Sequence, residues 1–92
     1  MGFEWDPAKS RANLDKHGVT FEEALAVFAD ADSLRQDVVR PALVEDRIKI
    51  IGKVDDRFLT VVYTLRSSNL RIISARRSHR SERRDYARQS DT

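Results

Sequence analysis

The chain has 92 residues, enough for one small domain that buries only about two-thirds of the surface of its unfolded chain. The absence of cysteine excludes disulfides, thiolate nucleophiles and zinc sites built on sulfur. The formal net charge is +2, but residues 71–92 hold seven arginines against three acidic residues, whereas residues 1–70 are net negative. We therefore expect a single domain, residues 1–92, whose C-terminal part binds phosphates or an acidic partner.

No apolar run approaches the roughly 20 residues that a membrane span requires, and the first residues lack the basic and apolar regions of a signal peptide. We expect a cytoplasmic protein without a membrane partner.

The N-terminal residues predict an edge strand followed by a helix. The segment Phe3–Trp5 alternates apolar and charged side chains, as short edge strands do. Asp6 is a predicted N-cap, the proline after it suits the first helical turn, and Gly18 suits the left-handed residue that closes a helix. The predicted helix is Pro7–Lys16, with His17 at its C-terminal end.

A second helix is predicted over Thr20–Ala29. Thr20 and Glu23 have the spacing of a capping box, in which each side chain binds the other residue's backbone N–H. An apolar stripe at helical spacing follows: Phe21, Ala24, Leu25 and Phe28. The short connection His17–Val19 makes the two helices a tight hairpin.

After Asp30 the apolar period changes from 3.6 to 2, which indicates strands. The segment from Ser33 to Val44 is ambiguous, and Pro41 makes it an edge strand or a loop. The clearer strands, separated by predicted turns at residues 55–56 and 67–69, are Arg47–Val54, Arg57–Arg66 and Leu70–Arg77.

The last predicted element is a helix over His79–Gln89, with Ser78 as its N-cap. It offers only Tyr86 and Ala87 as apolar contacts, which predicts weak anchoring. The predicted fold class is thus α+β: an N-terminal helical hairpin packed on an antiparallel sheet, followed by a C-terminal helix.

Three motifs carry a resemblance to a known family. They are FEWDPAKSRANLDKHGVTFEEALAVF at Phe3–Phe28, DDRFLTVVYT at Asp55–Thr64 and RIISARRSHRSERRDY at Arg71–Tyr86. In this order, with KHGV and ISARR nearly unchanged, they resemble the BrnT family of toxins from bacterial type II toxin–antitoxin systems.

The resemblance implies a RelE-like ribonuclease that cuts RNA, inhibits translation and is neutralised by a cognate BrnA-like antitoxin, with which it forms a higher assembly. It implies no cofactor and no metal. Since the catalytic set varies among RelE-like toxins, it supplies candidate residues rather than a complete triad.

Cleavage of RNA without a metal needs a base for the 2′-hydroxyl proton, a cation for the phosphorane and an acid for the leaving oxygen. His17 and His79 are the only side chains that ordinarily titrate near neutral pH. His17, at a helix C-terminus, suits an acid or electrostatic role; the alternative is a residue that only caps carbonyls.

Arg76 and Arg77 alternate across the last strand, so we expect one to share a face with Ile72 and Ser74, and only one to point at the scissile phosphate. The alternative for each is an arginine lying over the core beside a carboxylate. The catalytic candidates are His17, Arg76, Arg77 and Tyr86, although Tyr86 can equally serve only to pack the last helix. The candidate RNA-binding residues are Lys16, Arg71, Arg80, Arg83 and Arg84.

Two other classes stay open. One is a nucleic-acid-binding module that cuts nothing, since no acid–base pair is evident. The other is a protein-interaction element whose basic face serves an acidic partner. A solvated helix face, with Glu82 and Asp85 in surface ion pairs, would explain the arginines without any ligand.

Overall fold

The computed structural model describes residues 2–38 and 46–89. Within them, five strands form one sheet, in the order β1-β5-β4-β3-β2. The elements are β1 Gly2–Glu4, α1 Pro7–His17, α2 Phe21–Ala24, a 3₁₀ segment Leu25–Ala29, β2 Leu34–Val38, β3 Arg47–Val54, β4 Arg57–Arg66, β5 Asn69–Arg77 and α3 Arg80–Gln89.

The two N-terminal helices begin where their capping residues predict, and α1 also ends at the predicted glycine. The Asp6 carboxylate accepts a hydrogen bond from the Ala8 N–H at 2.8 Å, and Gly18 closes α1 in the left-handed conformation, φ 70°. Thr20 and Glu23 form the predicted capping box. The second helix is α-helical for only four residues and then tightens into the 3₁₀ segment.

The tightening coincides with a close approach to the sheet. A Cβ added to Gly52 would lie 2.7 Å from the Val27 side chain, so glycine at this position of β3 lets the 3₁₀ segment lie directly on the strand.

The strands are confirmed, and one expectation about their pairing is wrong. β2 to β5 pair antiparallel, but β1 pairs parallel with β5, which makes the sheet mixed. The helices and three other strands lie between β1 and β5 along the chain, so no hairpin joins the two, and this allows the parallel direction. The ambiguous segment contains β2 as an edge strand, whereas Pro41 lies outside the described residues.

The apolar core lies between one face of the sheet and the helices α1, α2 and the 3₁₀ segment. We call this the helix-packed face. Its fully buried side chains come from both layers: Phe21, Val27, Ile50, Leu59, Val61 and Ala75. Alternation along the strands places Lys49, Thr60 and Arg76 on the opposite face, where they contact α3. We call that the α3 face.

Candidate active site and nucleic-acid interface

Several candidate residues lie at the end of the sheet where β3 and β5 finish and β4 begins, which we call the rim. There, Val54 pairs with Arg57 and Leu59 pairs with Arg77. The chain leaving β5 is fixed by the Ser78 N–H, which donates to the Phe58 carbonyl at 2.9 Å. The end of β5 and the start of α3 are thus held at the rim.

A buried asparagine fixes α1 on β5. Asn13 accepts from the Ala75 N–H at 3.1 Å and donates to the carbonyls of Ala75 and Val19 at 2.8 and 2.9 Å. Glu4 pairs with Arg71 on β5, and Asn13 bonds to Ala75, four residues further along the same strand. The helix α1 therefore runs in the direction of β5, toward the rim.

His17 lies one helical turn beyond Asn13, on the same side of α1. Arg77 lies two residues beyond Ala75, on the same side of β5. The asparagine clamp therefore directs His17 and Arg77 toward the same end of the helix-packed face. Arg77 is exposed, and it has no ion-pair partner within residues 2–38 and 46–89.

The face assignment expected for the two arginines is wrong because β5 contains a bulge. Tyr63 pairs with Ile72 and Val62 pairs with Ser74, so Ile73 is an extra residue that no strict alternation predicts. Ile72 therefore shares the helix-packed face with Arg77, while Ser74 and Arg76 share the α3 face. The two arginines do lie on opposite faces, as expected.

Arg76 is bound to a carboxylate that sequence patterns missed. Its guanidinium donates to both Glu82 oxygens, at 2.7 and 2.9 Å, in a bidentate pair. The Glu82 side chain is only 3% exposed and also accepts from the Lys49 ammonium at 3.0 Å. Further hydrogen bonds come from the Thr60 hydroxyl at 3.1 Å and the His79 N–H at 2.8 Å.

These donors determine the charge state of Glu82. Burial alone would raise its pKa, but the hydrogen bonds from Arg76, the His79 N–H and Lys49 outweigh burial and hold the pKa well below the ordinary value of 4.5. Glu82 is therefore an anion across the physiological range and a poor proton acceptor. It fixes Arg76 and Lys49 in position rather than moving a proton.

One sequence signal could have located Glu82. Its carboxylate accepts from the N–H of His79, three residues earlier, as the glutamate of a capping box does. Because the helix begins at Arg80, His79 rather than Ser78 precedes it, and the Ser78 hydroxyl bonds instead to Thr60 at 2.7 Å. Only half of the usual S/T-x-x-E signature is present, because His79 takes the place of a serine or threonine.

Tyr86 lies in the contact between α3 and the rest of the protein. Its hydroxyl donates to Asp30 at 2.7 Å, and its ring packs edge-on against Phe58 with 5.3 Å between centroids. Burial and the hydrogen bond to Asp30 raise the Tyr86 pKa to about 12. The hydroxyl is therefore protonated at neutral pH and already engaged.

The two sides of α3 differ sharply. The side toward the sheet carries polar residues at helical spacing, namely Glu82, Asp85, Tyr86 and Gln89, and each binds a group outside the helix. The expectation of weak anchoring counted only apolar contacts and did not include these polar ones. The other side is exposed and carries Arg80, Arg83, Arg84 and Arg88.

The remaining candidates are spread out. Lys16 is exposed near the end of α1, next to His17. Arg71 lies on β5 about 17 Å along the strand from Arg76, at ~3.3 Å per residue. It pairs with Glu4 across 3.7 Å, which leaves it partly compensated and away from the rim.

The rim therefore carries a row of exposed arginines on α3 and the exposed Arg77, which has no ion-pair partner among the described residues. The asparagine clamp directs the His17 imidazole toward the same end. Such an arrangement can bind a phosphate chain and stabilise charge on a reacting phosphate. Within residues 2–38 and 46–89, no group of three His, Cys, Asp or Glu side chains is arranged to hold a metal ion.

The fold and the rim define a small α+β protein with an arginine-rich surface suited to a phosphate backbone. Residues 5–82 match the family model described as ribonuclease toxin, BrnT, of type II toxin-antitoxin system. The chain belongs to this family of ribonuclease toxins. No curated protein matches it. In the described part of the chain, no helix is long and apolar enough to span a membrane.

Proposed function

We propose that the protein is a metal-independent endoribonuclease of RelE-like arrangement, a single toxin domain that inhibits translation in the cytoplasm. The observation that carries this proposal is the exposed, uncompensated Arg77 at the end of the sheet toward which the Asn13 clamp also directs His17. An imidazole and a free guanidinium at one rim can serve proton transfer and phosphorane stabilisation without a metal.

The four catalytic candidates divide into two pairs. The ribose 2′-hydroxyl would attack the phosphorus and lose its proton to water. His17 would protonate the 5′-oxygen that leaves, and Arg77 would bind the phosphate oxygens as negative charge develops. Arg76, fixed by Glu82, would hold the flanking backbone, and Tyr86 would act through its neutral hydroxyl. The phosphates on either side of the cleaved bond would be bound by the RNA-binding candidates Lys16, Arg71, Arg80, Arg83 and Arg84.

The exposed arginine row on α3 also suits an antitoxin. A BrnA-like partner whose carboxylates cover this row would exclude RNA from the rim and build a higher assembly. Expression of the toxin alone should then arrest growth, and co-expression of the antitoxin should restore it. Unimpeded growth at a verified level of folded protein would contradict toxicity.

A defined RNA incubated with the purified protein tests the proposed chemistry. Cleavage that persists at full rate with excess EDTA supports a metal-independent nuclease. Cleavage abolished by EDTA and restored by a divalent cation contradicts it. Binding without cleavage under every condition would favour a non-catalytic RNA-binding module, an alternative supported by the engagement of Arg76 and Tyr86 with carboxylates.

Alanine variants of the four candidates separate chemistry from binding. His17→Ala and Arg77→Ala should lower the cleavage rate by on the order of 100-fold or more while the fold is retained. The matched control Lys9→Ala removes an exposed α1 cation away from the rim and should cleave normally. If all four variants cleave at nearly the normal rate, the catalytic site lies elsewhere.

Salt dependence tests the RNA-binding row. Replacing Arg80, Arg83 and Arg84 together by glutamine should weaken RNA binding and reduce the slope of log K against log salt by about two, because three phosphate contacts no longer release counterions. Lys9→Gln should leave the slope unchanged. An unaltered slope in the triple variant would remove α3 from the interface.

A further inference from the structure

A groove lies between the start of α1 and the start of α2, with a volume of about 250 Å³. The residues lining it are Trp5, Pro7, Ser10, Arg11, Leu14, Thr20 and Glu22. Its volume is below the roughly 300–1,000 Å³ of pockets that enclose drug-sized ligands, so it suits a single planar ring system.

The groove combines a flat apolar wall with two opposite charges. Trp5 is half-buried and is supported by the fully buried Phe21, with ring centroids 6.0 Å apart and planes at 84°. Leu14 adds apolar surface that is 43% exposed. These side chains form a surface on which a base can stack.

The two charged side chains in the groove have no ion-pair partner within the part of the chain that the structure describes. Arg11 and Glu22 are both exposed and make no ion pair, either with each other or with another described residue. The Trp5 indole N–H likewise has no hydrogen-bond acceptor among these residues. Opposite charges that share a groove without pairing fit a ligand that is itself polar at both ends.

We propose that this groove binds a guanine nucleotide unit of the RNA, an inference that rests on the proposed ribonuclease function. The base would stack against Trp5 and Leu14, and Arg11 would bind its phosphate. Glu22 would accept from the guanine N1–H and N2–H₂ groups, since guanine alone among the four RNA bases offers two adjacent donors that match a carboxylate. The groove would then give the nuclease its base preference.

Fluorescence gives a direct test because Trp5 is the only tryptophan. The full chain is titrated separately with the 5′-monophosphates of guanosine, adenosine, cytidine and uridine. We expect saturable quenching by GMP at a concentration at least about tenfold lower than for the other three. Equal quenching by all four, or none that saturates, overturns the proposal.

Two variants assign the contacts. Glu22→Gln should remove the preference for GMP while other nucleotides bind as before, and Arg11→Gln should weaken all four. The controls Asp15→Asn and Lys9→Gln remove exposed charges of the same sign outside the groove and should change nothing. A GMP preference that survives Glu22→Gln with the fold intact also overturns the proposal.

RNA cleavage separates this inference from the function on which it rests. With RNAs that contain or lack guanine, wild type should cleave the first faster, whereas Glu22→Gln should cleave both at similar rates. Nucleotide binding without any RNA cleavage would contradict the nuclease proposal and leave the groove assignment standing. Cleavage without selective nucleotide binding would contradict the groove alone.

Discussion

The two faces of the sheet bind their helices by different physics. On the helix-packed face, α1, α2 and the 3₁₀ segment bury apolar side chains such as Phe21 and Val27 against the strands. On the α3 face, one helix is held mainly by polar contacts of Glu82, Asp85, Tyr86 and Gln89, with one ring contact between Tyr86 and Phe58. Apolar burial depends little on geometry, whereas hydrogen bonds and ion pairs depend on every partner.

The difference matters because α3 carries the exposed arginine row. Four exposed arginines on a short helix repel one another, which destabilises the helix. The polar contacts on the side toward the sheet must offset this loss of stability. A single anion, Glu82, pairs with both Arg76 and Lys49 beneath the helix. We expect that damage to the α3 face unfolds only α3, whereas damage to the helix-packed face unfolds the whole domain.

The largest expected effect is on the helix-packed face. Leu59→Ala should lower the free energy of unfolding by about 2–5 kcal/mol, because it leaves a cavity among fully buried side chains. Urea denaturation followed by circular dichroism measures the change. Leu65→Ala, on the same strand and face but 57% exposed, is the matched control and should cost less than about 0.5 kcal/mol. Equal losses would contradict the assigned core.

Glu82→Gln should weaken the contacts that hold α3 on the sheet. The neutral amide leaves Arg76 and Lys49 without a counter-charge, which we expect to cost about 3 kcal/mol, at the low end for buried pairs because both cations are partly exposed. Hydrogen exchange should show lost protection in Arg80–Gln89 and retained protection in β3 and β4. The exposed turn variant Asp56→Asn should show neither change.

Acid should affect the two faces unequally. The Glu82 pKa is lower in the folded protein than in the unfolded chain, so its stabilisation is complete above the unfolded value near 4.5 and is lost as the pH falls toward the folded value. Between about pH 6 and about pH 3, wild type should therefore lose more stability than Glu82→Gln. Urea midpoints at the two pH values measure this, and parallel losses would contradict it.

Tyr86→Phe should have a smaller effect, about 1 kcal/mol, since it removes one hydrogen bond and keeps the ring against Phe58. Burial raises the Asp30 pKa, but the Lys53 N–H, the Tyr86 hydroxyl and the Asp32 N–H together lower it. Carbon NMR should therefore show a higher Asp30 pKa in the variant. An unchanged Asp30 pKa would contradict the contact.

The smallest effect concerns a helix end. Thr20→Ala removes one half of the capping box at the start of α2 and should cost about 1 kcal/mol in the free energy of unfolding. Ser81→Ala, an exposed hydroxyl in the first turn of α3, should cost less. If the two variants lose equal stability, the capping box contributes nothing beyond an ordinary surface hydroxyl.

The catalytic candidates show which features of the site could be predicted from sequence patterns and which could not. His17 could be located from the sequence because Gly18 closes the helix immediately after it. Which of Arg76 and Arg77 shares a face with Ile72 could not be predicted from the sequence, because the bulge at Ile73 depends on pairing with β4.

The sequence by itself determined most elements of this protein, whereas β2 stayed ambiguous and the 3₁₀ segment was not expected. Caps at Asp6 and Thr20, the left-handed Gly18 and the change of apolar period after Asp30 are local signals, so the helices and strands follow from neighbouring residues. The tertiary structure alone decided that Glu82 is buried and that the first strand runs parallel to β5. The reason is physical: Glu82 is stabilised by Arg76, Lys49 and Thr60, which lie on other elements and meet it only when the sheet has formed.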